Sequence, residues 1–273
     1  NEKIHSFLQK YSDNPQIRVV PMIYTTSKGC CWARSQVQTL MQDEDYYMQI
    51  DAHHRFAPDW DIKCMNNFSE AAKAAKSSRV IISSYATPCS LDGPEMTVTF
   101  GEHPFYMRCE KFYDFHKVRY VPSQIDSSDD VTITEWHTVS GHFIFTDSKW
   151  VDEVPYDPHL YFDGEEDTLA LRSWTRGWRI YFPHEVILYH YYIRKSCQRH
   201  NDNDKLWYRR DKASKIRLLQ ILGISSTFDN QPLGVYGLGS YRSLKEYEMF
   251  SGIDYINKTI ALHPATLDRT IDK

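Results

Sequence analysis

The amino-acid sequence predicts an α/β fold with a mainly parallel sheet flanked by helices. From residue 1 to residue 50 the hydrophobic spacing alternates between helical and strand-like periods. The segments are a helix at 1–11, a strand at 17–24, a helix at 31–42 and a strand at 46–50. This alternation is typical of sheets whose strands are joined by helices. The 273 residues, 41% of them hydrophobic, suffice for one large domain of this class or two small ones.

Each of these segments has its own local signal. The first helix carries apolar side chains on one face, and Pro15 marks the turn that follows it. Gly29 supplies the bend before the second helix, where Val37 and Leu40 recur at helical spacing. The run at 46–50 is apolar and aromatic without glycine or proline, which is typical of a buried strand. Because such sheets usually open with a strand, we expect a further strand to precede residue 1.

The rest of the chain continues the pattern. Ser140 and Gly141 are small residues before a strand, where they would let a ligand approach the backbone closely. The predicted helix at 206–222 has a basic side that is more typical of a solvated face than of a nucleic-acid site. The predicted elements are a helix at 58–77, a strand at 79–84, a loop at 87–93, an edge strand at 96–100, a polar segment at 124–130, a strand after Gly141 that reaches Thr146, a helix at 165–175, strands at 179–182 and 186–189, a helix at 206–222, a glycine-interrupted loop at 234–239 and a helix at 243–250.

Composition excludes several classes of function. A net charge of −4 gives no general reason to expect nucleic-acid binding. No apolar run approaches the length of a membrane span, and no signal peptide is recognisable, so we expect no membrane partner and a cytoplasmic location. The cysteines form no Cys-x-x-Cys pair, so free thiols are expected rather than a zinc knuckle. They are Cys30, Cys31, Cys64, Cys89, Cys109 and Cys197.

A candidate metal site follows the strand at 46–50. Asp51 comes directly after this strand, and Asp51 and His53 would point to the same side of an extended segment. Ligands of open α/β sheets bind at the carboxyl ends of the strands. A carboxylate oxygen with an imidazole nitrogen suits Mn²⁺, or Mg²⁺ if water and phosphate oxygens complete the shell. The same Asp-x-His spacing recurs at 114–116 and 157–159, so only the position after a buried strand favours Asp51.

Two further groups admit both a structural and a functional interpretation. Glu165 and Glu166 open a predicted helix, and Asp163 with Glu166 has the spacing of a capping box. Acidic residues are also favourable at a helix N-terminus, so structure alone could account for them. His190 lies at a strand end, where a histidine at the edge of the core is the simpler interpretation.

Taken in order, several motifs resemble those of the cytoplasmic hydroxyproline N-acetylglucosaminyltransferases, which modify the F-box adaptor subunit of SCF ubiquitin ligases. The similarity covers nearly the whole chain. The polypeptide N-acetylgalactosaminyltransferases are similar at a greater distance. The motifs are Gly29–Arg34, Asp51–His53, Val154–Pro158, Gly164–Glu166, Trp174–Trp178, His190–Arg194, Tyr236–Gly239 and Phe250–Asp254.

The resemblance implies a GT-A fold, a Rossmann-like and mainly parallel sheet flanked by helices with a C-terminal helical extension. It also implies a UDP-sugar donor, UDP-GlcNAc, and a protein acceptor that carries hydroxyproline. By the resemblance Asp51, His53 and His190 would hold the divalent metal. We expect the transferase core at 1–200 and the helical extension, packed on the same domain, at 201–273. A homodimer through the C-terminal helices is an open expectation.

The resemblance also implies roles for the donor site. Its cofactor-binding residues would be Arg34, Asp51, Gly141, His142 and Trp174. Glu165 and Glu166 would accept hydrogen bonds from sugar hydroxyls, and together with Asp163 they are the candidate catalytic carboxylates. The family implies retention at the anomeric carbon. Because the sequence names no clear nucleophile, we favour attack from the front face, with a departing phosphate oxygen accepting the acceptor's proton.

Two departures from the related pattern affect these roles. Glu166 replaces an asparagine of the galactosaminyltransferases, which bears on the choice of GlcNAc over GalNAc. The strand and loop that contact uridine would precede the sequence. The alternatives left open are a UDP-sugar transferase acting on a glycan, a non-catalytic binding module of the same fold, and a metallohydrolase in which the three ligands activate water.

Overall fold

The computed structural model describes residues 2–92, 95–98, 104–124, 132–192, 202, 204–225 and 233–261. Three features of the sequence analysis lie outside these residues: the polar segment from 125 to 130, the motif end at 193–194, and Cys197. The other five cysteines are free thiols, as expected. Within the described ranges, no helix has the length and apolar character needed to cross a membrane.

The helices lie close to their predicted positions, except that α4 (Lys149–Glu153) was not predicted. α2 begins after Gly29, whose φ of 109° and lack of a Cβ are both needed because a Cβ would overlap Tyr161. The helices are α1 (Glu2–Lys10), α2 (Cys30–Gln38), α3 (Trp60–Ala75), α4 (Lys149–Glu153), α5 (Glu165–Thr175), α6 (Trp207–Ile221) and α7 (Leu244–Ser251).

The strands form a main sheet, a second sheet and two hairpins. They are β1 (Tyr46–Ile50), β2 (His54–Phe56), β3 (Val80–Ile82), β4 (Thr87–Asp92), β5 (Glu95–Val98), β6 (Phe105–Phe112), β7 (Val118–Gln124), β8 (Thr134–Trp136), β9 (Phe143–Asp147), β10 (Arg179–Phe182), β11 (Leu188–His190), β12 (Ile253–Asp254) and β13 (Thr259–Ile260).

The main sheet has the order β1-β9-β3-β10-β8, and the α/β class is confirmed. The sheet is mixed rather than purely parallel. β3 and β10 are parallel, whereas β9 runs antiparallel to both β1 and β3, and β8 runs antiparallel to β10. The mainly parallel sheet was inferred from the alternation of helices and strands at 1–50, but β9 follows a tight turn that pairs Ser140 with Phe143.

Two predicted elements were wrong. Residues 17–24 form no strand. Ile23 and Tyr24 are 67% and 71% exposed, so this apolar run does not face the core. The predicted loop at 87–93 contains β4, which pairs with both β5 and β11. Pro88 lies near the start of this strand, where proline is tolerated.

The second sheet, β2-β11-β4-β5, carries the histidines toward the end of β1. β11 runs antiparallel to β2 and pairs His190 with His54. His53 immediately precedes β2, and Asp51 immediately follows β1. This pairing therefore brings His190 from the second half of the chain beside Asp51 and His53.

The larger core cluster surrounds α5. Leu169 and Leu171 of α5 are buried in it together with Leu218 of α6 and Tyr247 of α7, so the C-terminal helices share the core of the sheet. Burying a leucine-sized side chain contributes about 1.5–3 kcal/mol. This packing holds α5 firmly, and the first turn of α5 carries the acidic residues of the site.

Candidate active site

Asp51, His53 and His190 come together as the sequence predicted. One ligand atom from each residue lies within 4.8 Å of the others. Asp51 Oδ2 is 3.7 Å from His53 Nε2 and 3.6 Å from His190 Nε2. These separations are too long for hydrogen bonds.

The three residues fit a divalent cation. Two ligands about 2.1 Å from one ion and at right angles to each other lie about 3 Å apart, so only a small closure around the ion is needed. His190 is buried, and neither of its ring nitrogens makes a hydrogen bond to the described residues. A buried nitrogen without a partner is costly, and metal ligation would satisfy it.

Asp51 is ionised under ordinary conditions. Burial by itself would raise the pKa of Asp51. The neighbouring His190 and Arg34 lower it by more than burial raises it, so the pKa of Asp51 lies well below its usual range. The carboxylate is therefore ready to bind a cation without first losing a proton.

Arg34 connects the metal site to the sugar side of the cavity. It projects from α2, and its Nη2 donates to Asp51 Oδ1 at 2.7 Å while its Nη1 donates to Glu165 Oε1. Burial opposes its charge, but Glu165 raises the pKa of Arg34 well above its usual value. The guanidinium is a fixed positive charge between two carboxylates, in a geometry that lysine could not reproduce.

A cavity of about 140 Å³ opens beside these groups. It contains most of the residues that the sequence assigned to the donor site. The lining consists of Arg34, Asp51, Lys117, Val118, Tyr120, Gly141, His142, Phe162, Asp163, Gly164, Glu165, Glu166 and Asp167. The first turn of α5, the β6–β7 hairpin and the turn before β9 thus enclose one space next to the metal ligands.

A family model described as Glycosyltransferase (GlcNAc) matches residues 3–257, which is nearly the entire chain. The chain belongs to this glycosyltransferase (GlcNAc) family. No curated protein matches it.

A crystal structure titled as GalNAc-T7 with UDP, GalNAc and Mn²⁺ is similar to the chain, with a TM-score of 0.58 and 14% sequence identity. The match covers 96% of this chain and 51% of that one, so this family member spans about half the length of the protein that it matches. This likeness confirms the predicted GT-A fold.

In this family member Gly141 lies between Glu166, which accepts from its N–H, and Glu165, which lies next to its Cα. Its N–H donates to Glu166 Oε1 at 3.0 Å, and a Cβ at this position would overlap Glu165 Oε1 and lie 3.1 Å from Arg34 Nη1. Burial raises the pKa of Glu166 to about 8, so this side chain is largely protonated at neutral pH. The Glu166 carboxyl can therefore both accept from Gly141 and donate to a ligand hydroxyl.

His142 lines the cavity as a neutral ring. Its Nε2 accepts from the Ala86 N–H at 3.1 Å, and its Nδ1 lies 2.8 Å from Ser140 Oγ. Burial and the nearby His190 hold the pKa of His142 well below its usual value. The ring therefore shapes the cavity floor and adds no charge to it.

Asp163 does not cap α5, so the predicted capping box with Glu166 is wrong. The residue before the helix is Gly164, with a φ of 88°, and no side chain caps the first turn. Asp163 instead forms ion pairs with Lys117 and Lys215, and Glu166 turns inward to Gly141. Both acids therefore bond to residues other than the backbone of the helix end.

Trp174 is the one assigned donor-site residue that the structure places elsewhere. It lies nine residues along α5 from Glu165, which is about 14 Å at the rise of a helix. Its ring stacks on Phe250, with 4.4 Å between ring centroids, and the Arg242 guanidinium lies 3.6 Å above it. Trp174 is thus part of the C-terminal core.

The other two Asp-x-His pairs have structural partners. His116 Nδ1 lies 2.5 Å from the Tyr255 carbonyl oxygen. Asp157 is buried and accepts from Arg217 Nε at 2.9 Å. Within the part of the chain that the structure describes, only the group at Asp51 has the spacing of a metal site.

Lys117, Tyr120 and Asp167 also line the cavity, and the sequence did not predict them as site residues. Asp167 is buried there and accepts from the Tyr120 hydroxyl at 2.7 Å and from the Tyr255 hydroxyl at 3.1 Å. Burial raises its pKa to about 6. Tyr120 lies on β7 and Lys117 immediately precedes it, in a region for which no element was predicted. The one available signal was the third acid of the run Glu165–Asp167.

Proposed function

We propose that the protein transfers GlcNAc from UDP-GlcNAc to the hydroxyl group of a hydroxyproline in a cytoplasmic protein of the SCF adaptor type, in a metal-dependent reaction. The observation that supports it best is that Asp51 belongs both to the Asp51, His53 and His190 cluster and to the lining of the cavity that contains Arg34 and Glu165. The acceptor rests on the family resemblance of the sequence. The UDP-sugar and the acceptor protein are the proposed partners.

Asp51, His53 and His190 would hold the ion, Mn²⁺ or Mg²⁺, which when bound would offset negative charge on the donor diphosphate. Arg34 adds a second positive group on the same side of the cavity. It is held by two carboxylates before substrate arrives, so little reorganisation is needed when the leaving group becomes more negative.

The opposite end of the cavity is suited to the sugar. Glu165 offers a carboxylate, the mostly protonated Glu166 offers a donor and an acceptor, and Gly141 leaves room for close approach. Groups of this kind select hydroxyl and amide positions of a sugar by hydrogen bonding. GlcNAc rather than GalNAc is part of the proposal and rests on the family.

The state of the carboxylates favours front-face attack with retention. A double displacement needs a free carboxylate as nucleophile. Asp163 is paired with two lysines, Glu165 is bonded to Arg34, and burial keeps Glu166 largely neutral. We therefore assign the acceptor's proton to the departing phosphate oxygen. Trapping a glycosyl adduct on any of these three residues would exclude this route.

The deciding experiment measures UDP release from UDP-GlcNAc with Mn²⁺, and transfer to a hydroxyproline peptide compared with glycan acceptors. We expect turnover that Asp51→Ala and His190→Ala reduce at least about a hundredfold, as loss of key electrostatic groups does. His159→Ala is the control, because it removes a histidine of the same Asp-x-His spacing outside the site. Transfer only to glycans would refute the proposed acceptor, and metal-independent binding without turnover would indicate a binding module.

A further inference from the structure

The wall behind the candidate sugar pocket contains buried polar side chains that have no role in the proposed chemistry. Gln49 lies in β1 among apolar and aromatic residues and is only 6% exposed. Tyr156, in the segment after α4, is 1% exposed. Burying an amide and a hydroxyl is costly unless both are hydrogen-bonded, and an apolar side chain would suit β1 as well.

The hydrogen bonds of this wall run in one direction. The Tyr47 hydroxyl donates to Gln49 Oε1 at 2.8 Å. Gln49 Nε2 then donates to the Gly141 carbonyl oxygen and to the Tyr156 hydroxyl oxygen, each at 2.5 Å. The Tyr156 hydroxyl donates to Glu165 Oε1 at 2.8 Å. The chain therefore ends on two groups that line the cavity, Gly141 and Glu165.

The Gly141 carbonyl fixes this direction. The reversed amide of Gln49 would place its oxygen against the Gly141 oxygen, two acceptors in contact, so the amide nitrogen must face Gly141. The Tyr156 oxygen then accepts a hydrogen bond from Gln49 Nε2, and the Tyr156 hydroxyl donates its own hydrogen bond to Glu165 Oε1. Burial and the charge of Glu165 raise the pKa of Tyr156, so the hydroxyl keeps its proton.

Tyr156 also contacts Arg34. Arg34 Nη1 lies 3.4 Å from the Tyr156 oxygen and donates to the same Glu165 oxygen as Tyr156 does. Glu165 Oε1 is thereby committed to the protein, which leaves Oε2, in contact with the Cys30 thiol at 3.7 Å, as the oxygen that can turn to a ligand.

We propose that Gln49 and Tyr156 are positioning residues that fix Gly141 and Glu165 against the sugar of the nucleotide donor. This inference rests on the proposed function, because it assigns the sugar to the Glu165 end of the cavity. In this arrangement the metal ligands and Arg34 act on the diphosphate, whereas the buried Gln49 and Tyr156 act on the sugar through Gly141 and Glu165.

The test is calorimetric titration of the Mn²⁺-loaded protein with UDP and, separately, with UDP-GlcNAc. Tyr156→Phe should weaken UDP-GlcNAc about tenfold while UDP changes less than about twofold, since one hydrogen bond to a charged group is lost. Gln49→Leu should act in the same direction. Tyr247→Phe is the matched control, because it removes another fully buried hydroxyl, bonded to the His137 carbonyl oxygen at 2.6 Å, and should leave both affinities unchanged.

The outcomes separate the inference from the proposed function. Unchanged affinities for both ligands in Tyr156→Phe and in Gln49→Leu would overturn the positioning role and leave the function standing. Equal weakening of UDP and UDP-GlcNAc would show a role in the fold only, and would also overturn it. If the intact protein binds neither ligand with Mn²⁺, the proposed function fails and the inference fails with it.

Discussion

The two carboxylate oxygens of Asp51 face different neighbours. Oδ1 accepts from Arg34 Nη2 at 2.7 Å, while Oδ2 faces His190 Nε2 at 3.6 Å and His53 Nε2 at 3.7 Å. The ion pair between Asp51 and Arg34 therefore leaves one oxygen for a cation. It also sets the guanidinium and the metal site on the same side of the cavity, where a diphosphate would meet both.

Arg34→Lys should reduce turnover of UDP-GlcNAc about a hundredfold. An ammonium group cannot hold Asp51 and Glu165 together as the planar guanidinium does. The loss corresponds to about 2.7 kcal/mol of transition-state stabilisation, which is typical of one positioned donor. Steady-state UDP release measures it, with Arg119→Lys as the control, because the exposed Arg119 side chain pairs with Glu110 instead. A loss smaller than about threefold would contradict this role.

Gly141→Ala should weaken UDP-GlcNAc binding and lower stability. The added Cβ would overlap Glu165 Oε1 and approach the Glu165 Cδ atom to 2.9 Å, so Glu165 must leave its bonds to Arg34 and Tyr156. We expect a loss of about 1–3 kcal/mol in the free energy of unfolding, as in other overpacked sites. Urea unfolding and UDP-GlcNAc titration test the two effects.

Gly223→Ala is the matched control for that substitution. Gly223 has a φ of 72° with no atom within 4 Å of the added Cβ, so alanine would strain only the backbone. We expect about 1 kcal/mol of destabilisation and unchanged ligand binding. If both variants lose the same affinity for UDP-GlcNAc, the contact between Gly141 and Glu165 has no special importance.

Glu166→Gln should stabilise the protein at high pH relative to the native sequence. Burial raises the pKa of Glu166 to about 8 from an ordinary value of 4.5, so between these pH values the unfolded chain has lost a proton that the folded chain keeps. Stability from this group is thus complete below pH 4.5 and is lost as pH rises to about 8. At about 1.4 kcal/mol for each pH unit, the upper limit is about 5 kcal/mol.

The measurement is the free energy of unfolding in urea at several pH values for the native sequence and for Glu166→Gln. The glutamine keeps an acceptor for the Gly141 N–H but cannot ionise, so the difference between the two proteins should grow in favour of the variant from pH 5 to pH 8. A difference that stays constant would mean that Glu166 is ionised in the folded protein.

The fold class and the Asp51 and His53 part of the metal group could be predicted because both depend on local patterns. Hydrophobic spacing identified β1, and the residue after a buried strand lies at the sheet edge where ligands bind. His190 was harder, since the pairing of β11 with β2 joins residues far apart in the chain. Only the family resemblance brought His190 to Asp51 at the sequence level.

The predicted capping box of α5 failed because both acids have tertiary partners. Asp163 and Glu166 have the spacing of a capping box. Asp163 instead pairs with Lys117 and Lys215, and Glu166 accepts from the Gly141 N–H. A capping box does form at Ser243 and Glu246 before α7, where the helix end is exposed and no such competitor is near. Local spacing is decisive only where the protein interior supplies no alternative.

Mn²⁺ should raise the thermal stability of the protein, and His190→Ala should abolish this effect. A ligand that binds only the folded state stabilises it by about 2.7 kcal/mol at a concentration one hundred times its Kd. Removing His190 leaves Asp51 and His53, which are too few groups to hold a cation firmly without substrate. His116→Ala is the control, because His116 Nδ1 contacts the Tyr255 carbonyl oxygen instead. Thermal unfolding with and without Mn²⁺, and again after chelation, gives the shift. Equal shifts in the native protein and in His190→Ala would place the binding of Mn²⁺ at another site.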